Sequence, residues 1–231
     1  MNDAVLLDCI PFAIDVPHFV RKMRIEDRPE DMEHFKELAR QAQAIARPRA
    51  VYKRAYVDAK TENTVVVDGV TLTSRVLRVN LAEAHRVFPF MATCGAELDT
   101  WSNTIDDLLG QYWADAIKEA ALRAAMSAVS EHIKQHHLPS RSAVMSPGSL
   151  EDWPIQQQTE LFAILGNTCE KVGVELTDSF LMVPIKSISG LRFPTEVNFE
   201  SCQLCPRDLC PGRRAPYDPA LYQSRFVSDK T

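Results

Sequence analysis

IDDLLGQYWADAIKEAALRAAMSAVSEHIKQHH, residues 105–137, is the longest uninterrupted helical pattern in the chain. Ile105, Leu109, Trp113, Ile117, Ala121, Ala124, Ala128 and Ile133 recur along one side at the spacing of an amphipathic helix. Seven alanines stand between Ala114 and Ala128. Side chains that small let other backbones come close, so the sequence places this helix at the centre of the fold, with the stripe as core.

On its amino-terminal side, Arg28-Pro29-Glu30-Asp31 puts a proline and acids where a helix begins. Met32, Phe35, Leu38, Ala39, Ala42 and Ile45 then recur at helical spacing until Pro48. Two β-branched stretches follow, residues 50–57 and 63–73, and the second is interrupted by Asp68-Gly69, a two-residue hairpin signal. Residues 75–79 and 87–93 read as further strands. On the carboxyl-terminal side, a polar loop leads to Asp152-Trp153-Pro154, which restarts a helix carrying Leu161, Leu165, Cys169 and Val172 and ending at Gly173. Residues 179–183 and 187–193 read as strands, and a polar tail begins at Arg213. The expected fold is α+β: a mainly antiparallel twisted sheet with a long central helix and flanking helices. One domain is expected over residues 1–200, a cysteine-rich loop over 201–214 and a tail over 215–231; a division near residues 96–102 is the weaker alternative.

The chain has 231 residues, 45% hydrophobic and 25% charged, which is ordinary globular composition. A net charge of -5 and a pI near 5.7 argue against a nucleic-acid footprint. No apolar stretch approaches the roughly 20 residues of a spanning helix, so no membrane partner is expected. Asp3 and Asp8 stand where a secretion signal carries basic residues, and a cytoplasmic protein with reduced cysteines is the expectation.

Three of the six cysteines fall within nine residues: Cys202, Cys205 and Cys210, in a C-x2-C-x4-C run followed by Pro211. Thiolates so spaced suit Zn²⁺ or an iron–sulfur cluster. A tetrahedral site needs a fourth ligand, for which Cys94, Cys169, Cys9, a histidine or an exogenous group are open; the alternative is reduced surface thiols or a redox pair. Cys94 otherwise reads as a buried small hydrophobe. His132, His136 and His137 close the long helix; there they favour its dipole and read as solvated rather than as metal ligands. Arg141 offers a fork for a ligand carboxylate, and the turn at Pro147-Gly148 lets main-chain groups approach a ligand. The plainer alternative is a connecting loop whose arginine pairs with a surface acid.

Three stretches carry a family resemblance. Residues 141–154, RSAVMSPGSLEDWP, are similar to a pattern of arginine, Ser-Pro-Gly turn and Asp-Trp-Pro opening a helix. Gly173-Val174-Glu175-Leu176-Thr177-Asp178-Ser179, with residues 182–190, MVPIKSISG, and the cysteine run ending Cys210-Pro211-Gly212-Arg213, complete it; weaker echoes occur at residues 47–52 and 92–98. The chain thereby resembles the reactivation domain of cobalamin-dependent methionine synthase, and more closely the free-standing bacterial proteins like it. The resemblance implies an accessory protein that binds S-adenosylmethionine and docks over the cobalamin of a corrinoid methyltransferase or methionine synthase. It implies methyl transfer with an electron from a flavodoxin or ferredoxin-like donor. It also implies a ligand site at Arg141, Ser146, Pro147, Gly148 and Ser149, with Glu131 one turn beyond Ser127, where the family has a glutamate. Ser149 stands at a usual tyrosine, and three extra residues separate Arg141 from Ser146. An iron–sulfur redox protein acting on a corrinoid partner, and a zinc-stabilised binding module, are the competing readings.

Overall fold

The computed structural model describes residues 4–138 and 141–227, and only the backbone of Thr168 and Cys169. Its axis is the strand β6, Arg86–Thr93, in which every residue after Arg86 is buried. Such an apolar run needs neighbours on both edges and both faces, and it has them. The strand β2 (Arg49–Tyr52) pairs antiparallel along one edge, with β1 (Val5–Leu7) outside it, and β3 (Ala55–Lys60) pairs beside the start of β6, Ala55 opposite Val87. The strand β10 (Ser187–Pro194) takes the other edge, Gly190 opposite Phe90, and carries β7 (Ser142–Met145) beyond it, Arg192 opposite Val144. The expected hairpin joins β4 (Thr64–Val67) to β5 (Val70–Thr73). Asp68 and Gly69 both take positive φ, 46° and 79°, as a tight two-residue hairpin turn requires.

The long helix α5, Leu108–His136, starts three residues later than the sequence suggests, where Asp107 Oδ1 accepts the Gly110 N–H at 2.6 Å. Its buried side is Trp113, Ile117, Ala121, Ala125, Val129 and Ile133. The expected stripe therefore slips by one residue at Ala124 and Ala128, because the helix keeps a spacing of four where the sequence is alanine at several registers. Ala125, Val129 and Ile133 meet Ala50, Tyr52, Phe88, Phe90 and Ala92 on one face of the sheet. Val51 and Met91, which point the other way by strand alternation, meet Leu165, Val172 and Val174. Toward its start α5 packs on α2 (Pro29–Ile45) through Trp113 and Phe35, whose ring centroids lie 5.8 Å apart, with α1 (Val16–Met23) and α4 (Ala96–Ser102) alongside.

Five local expectations change. Residues 75–79 form a helix, α3 (Arg75–Asn80), because Ser74 Oγ accepts the Leu77 N–H and the carboxylate of Asp152 accepts the Val76 N–H; two caps override β-branched composition. The helix after Trp153 is broken: a 3₁₀ turn, Ile155–Gln157, leads into α6 (Gln158–Leu165), Gly166 takes φ 72°, and α7 (Thr168–Val172) follows. Residues 179–183 turn at Phe180, φ 61°, leaving a short ribbon of β8 (Glu175–Leu176) and β9 (Met182–Val183). Strand β7 arises inside the expected polar loop. The carboxyl-terminal segment folds back, so that Phe226 is 1% exposed among Leu72, Val76, Trp153 and Phe193.

Candidate ligand clefts and the cysteine loop

Arg141 stands at the entry to β7, and its carbonyl accepts the Thr195 N–H at 3.2 Å. Its side chain is exposed. With Thr195 and Val197 it belongs to the walls of two clefts. The first, about 600 Å³, also holds Asn80, Glu83, Glu196 and Arg225. The second, about 400 Å³, holds Ser142, Gln203, Glu200 and Arg214, and Arg214 Nε pairs with the Glu200 carboxylate at 2.9 Å. Next to the second cleft lies Arg192, whose guanidinium donates to Ser142 Oγ at 2.8 Å and to Ser130 Oγ at 2.7 Å. Burial, and then the positive charge of Arg214, push its pKa below the ordinary arginine value, against the opposite pull of Glu200 and Glu131. Sequence reasoning missed this residue; the available signal was a charge inside the apolar run of β10.

The Ser146 to Ser149 turn is closed by its own backbone. Ser146 carbonyl accepts the Ser149 N–H at 3.2 Å, and Trp153 carbonyl accepts the Gly148 N–H at 2.7 Å. Gly148 has φ 79°, and a β-carbon there would meet Ile155 Cδ1 at 2.7 Å. The space freed by this glycine is filled by Ile155 rather than open to a ligand. Pro147 and Ser149 face none of the clefts described. Glu131 is on the solvent side of α5, 3.9 Å from Lys134, and Ser127 is exposed as well. Arg141, the turn and Glu131 thus share none of the clefts described. The residues just after the turn, Leu150, Glu151 and Asp152, do line a third cleft of about 500 Å³ together with Leu204, Tyr217 and Tyr222.

Cys202, Cys205 and Cys210 are half-buried in the loop after Glu200. That loop is organised by a cation. Arg213 donates to the carbonyls of Cys202 at 3.0 Å, Ala215 at 3.1 Å, Cys205 at 3.1 Å and Arg207, while the Arg214 N–H points to Cys202 Sγ at 3.5 Å. Among the described residues no three His, Cys, Asp or Glu side chains are placed to hold a metal ion, so the thiols as arranged do not form a ligand set. Of the candidate fourth ligands, Cys94 is buried and its thiol is pushed up to about 12, chiefly by burial, which makes it the small hydrophobe expected. Cys9 is exposed, and the side chain of Cys169 lies outside the described residues.

The helix-end histidines are less solvated than the sequence indicates. The Tyr52 hydroxyl, on a residue with no exposure, lies 2.8 Å from His132 Nδ1 and 3.0 Å from His137 Nε2. His137 stacks on Phe88, and His136 stacks on His132 with centroids 4.1 Å apart. These contacts tie the end of α5 to β2 and β6.

No family model matches the chain, and no curated protein matches it. A solved structure does. The crystal structure of the MetH reactivation domain bound to AdoHcy superposes with a TM-score of 0.62 over 86% of this chain and 81% of that one, at 14% identity. The chain has the reactivation-domain fold. Its antiparallel curled sheet, long central helix and flanking helices are those of that architecture, as the sequence resemblance implied. No helix among the described residues is long and apolar enough to cross a membrane.

Proposed function

We propose that this protein binds an S-adenosyl ligand and assists the reductive remethylation of cobalamin held by a partner, a corrinoid methyltransferase or methionine synthase. The observation that carries the reading is the fold it shares, over most of its length, with a reactivation domain solved with AdoHcy. The exposed guanidinium of Arg141, at the junction of two clefts, supports a role in fixing a ligand carboxylate. The sulfonium of S-adenosylmethionine would supply the methyl group, leaving S-adenosylhomocysteine, and one electron would come from a flavodoxin or ferredoxin-like donor. What the chain itself contributes is ligand binding and the exclusion of water at the docked face. Ser127, Ser149 and the closed turn at Gly148 mean that these contacts differ from those the family resemblance implies.

The test is anaerobic incubation with a cob(II)alamin-loaded methionine synthase that lacks its own reactivation domain, reduced flavodoxin and S-adenosylmethionine. The expected result is S-adenosylhomocysteine formed in step with loss of the cob(II)alamin absorption, both requiring this protein. Equal rates with and without it would overturn the reading.

A metal-bearing cysteine loop is the second reading, favoured by the C-x2-C-x4-C spacing and by the Arg214 N–H aimed at Cys202 Sγ. It requires the three thiols to close around an ion from their present arrangement. Anaerobically purified protein containing iron and sulfide would support a cluster, stoichiometric zinc in a colourless protein would support a structural site, and neither metal would dismiss both.

A further inference from the structure

The hydroxyl of Tyr52, on a residue with no exposure, has two imidazoles as its partners, His132 Nδ1 at 2.8 Å and His137 Nε2 at 3.0 Å. A hydroxyl carries one proton, so it donates to one ring and accepts from the other. With its proton given to His137 Nε2, the oxygen accepts the Nδ1–H of His132, and His132 Nε2 is left as a lone pair. One helical turn on, His136 reaches back so that its Nδ1 lies 2.8 Å from the His132 carbonyl. A carbonyl oxygen only accepts, so in the neutral ring Nδ1 holds the proton and His136 Nε2 is a lone pair as well. Neither Nε2 has a hydrogen-bond partner among the described residues.

The two rings are also held together. Residues four apart share a helix face, and these imidazoles stack with centroids 4.1 Å apart and planes 18° from parallel. Zinc–nitrogen bonds are about 2 Å long, so one ion spans two rings at this separation. A histidine that ligates a metal gives its other ring nitrogen to a carbonyl or another polar group, which fixes the tautomer and the ring orientation. Both rings have that support, His136 from a main-chain carbonyl and His132 from a phenol anchored in the sheet, its ring edge-on to Phe88. His136 is exposed and His132 half-buried, so an ion reaches the pair from solvent. The cations of this corner, Arg54 and Arg86, bear on His137, whereas burial and His136 are what act on His132.

We propose that His132 and His136 form an open two-histidine site for a divalent cation of the Zn²⁺, Ni²⁺ and Cu²⁺ group, with Tyr52 as its positioning residue and His137 as the acceptor of the Tyr52 proton. The remaining coordination positions fall to water or to an outside donor, since no third His, Cys, Asp or Glu among the described residues joins the pair. Neither ligand lines any cleft described above, so the site is independent of S-adenosylmethionine binding and of the cysteine loop. The experiment follows the imidazole nitrogens of the full chain by two-dimensional ¹⁵N NMR at mildly alkaline pH during titration with Zn²⁺, with Mg²⁺ as the control. The readout is specific to the rings, so zinc taken up by thiols does not register. The Nε2 signals of His132 and His136 are expected to shift together along one saturable curve, with the proton of His132 on Nδ1, and Mg²⁺, which prefers oxygen ligands, should move neither. Tyr52→Phe, which keeps the ring and removes the hydroxyl, should weaken Zn²⁺ by on the order of tenfold. His136→Gln, at an exposed position, should weaken it further, because a single imidazole remains. No saturable shift at these nitrogens with millimolar Zn²⁺ in the folded wild type, separate curves for the two rings, or undiminished affinity in either folded variant would each overturn the proposal.

Discussion

Gly148 occupies a left-handed conformation with Ile155 where a side chain would go. Gly148→Ala combines backbone strain with a clash, and a loss of about 1–3 kcal/mol is expected from urea unfolding midpoints. A change within about 0.5 kcal/mol would show that the turn relaxes freely. Tyr52 raises a different issue. Its hydroxyl serves two imidazoles that resist protonation in the fold: burial first, then His136, lowers the pKa of His132, and burial first, then Arg54 and Arg86 and the neighbouring histidines, lowers that of His137. Folded pKa values below the ordinary ~6.5 mean that the unfolded chain binds more protons as the solution is acidified. The stability these groups contribute is complete above that value and is lost as pH falls through it. Urea midpoints compared at neutral and mildly acidic pH should therefore drop for the wild type, and drop less for His132→Gln with His137→Gln. An unchanged drop in the double variant would assign the pH dependence to other groups.

At the scale of elements, the spacing of α5 decides how the sheet is covered. Ala125 has no exposure and faces Tyr52, Phe88 and Phe90, whereas Ala124 is half-buried. Ala125→Leu is expected to cost about 1–3 kcal/mol by overpacking, and Ala124→Leu distinctly less. The reverse order, read from thermal midpoints, would contradict the helix register. The sequence made such elements legible where one local rule governed them. Asp68-Gly69 announced its hairpin, and Pro29 with the acids after it announced α2. It misled where partners are remote. Asp152 caps α3 from 76 residues away, so a β-branched run became a helix. Arg225 reaches Asn80 across 145 residues, and Arg192 reaches Ser130 across 62, so the partners of neither arginine could be read from local spacing. The Ser-Pro-Gly turn was visible as a turn, but its self-contained hydrogen bonds and the filling by Ile155 depend on packing that spacing does not encode.

At the scale of the molecule, the carboxyl-terminal segment closes the core and, through Arg225, builds part of the first cleft. Phe226 is buried in one apolar cluster with residues of α3, β10 and Trp153, so Phe226→Ala is expected to cost about 3–5 kcal/mol in urea unfolding. A loss under about 1 kcal/mol would show that the segment is only loosely docked. The same architecture underlies the functional reading: a curled antiparallel sheet around a long helix, shared with a reactivation domain, carrying its arginines along one run of clefts. That reading stands or falls on ligand binding. Calorimetric titration of the folded chain with S-adenosylmethionine should give saturable heat at one site, diminished in Arg141→Gln. No heat and no thermal shift with millimolar ligand, from protein shown to be folded, would contradict it.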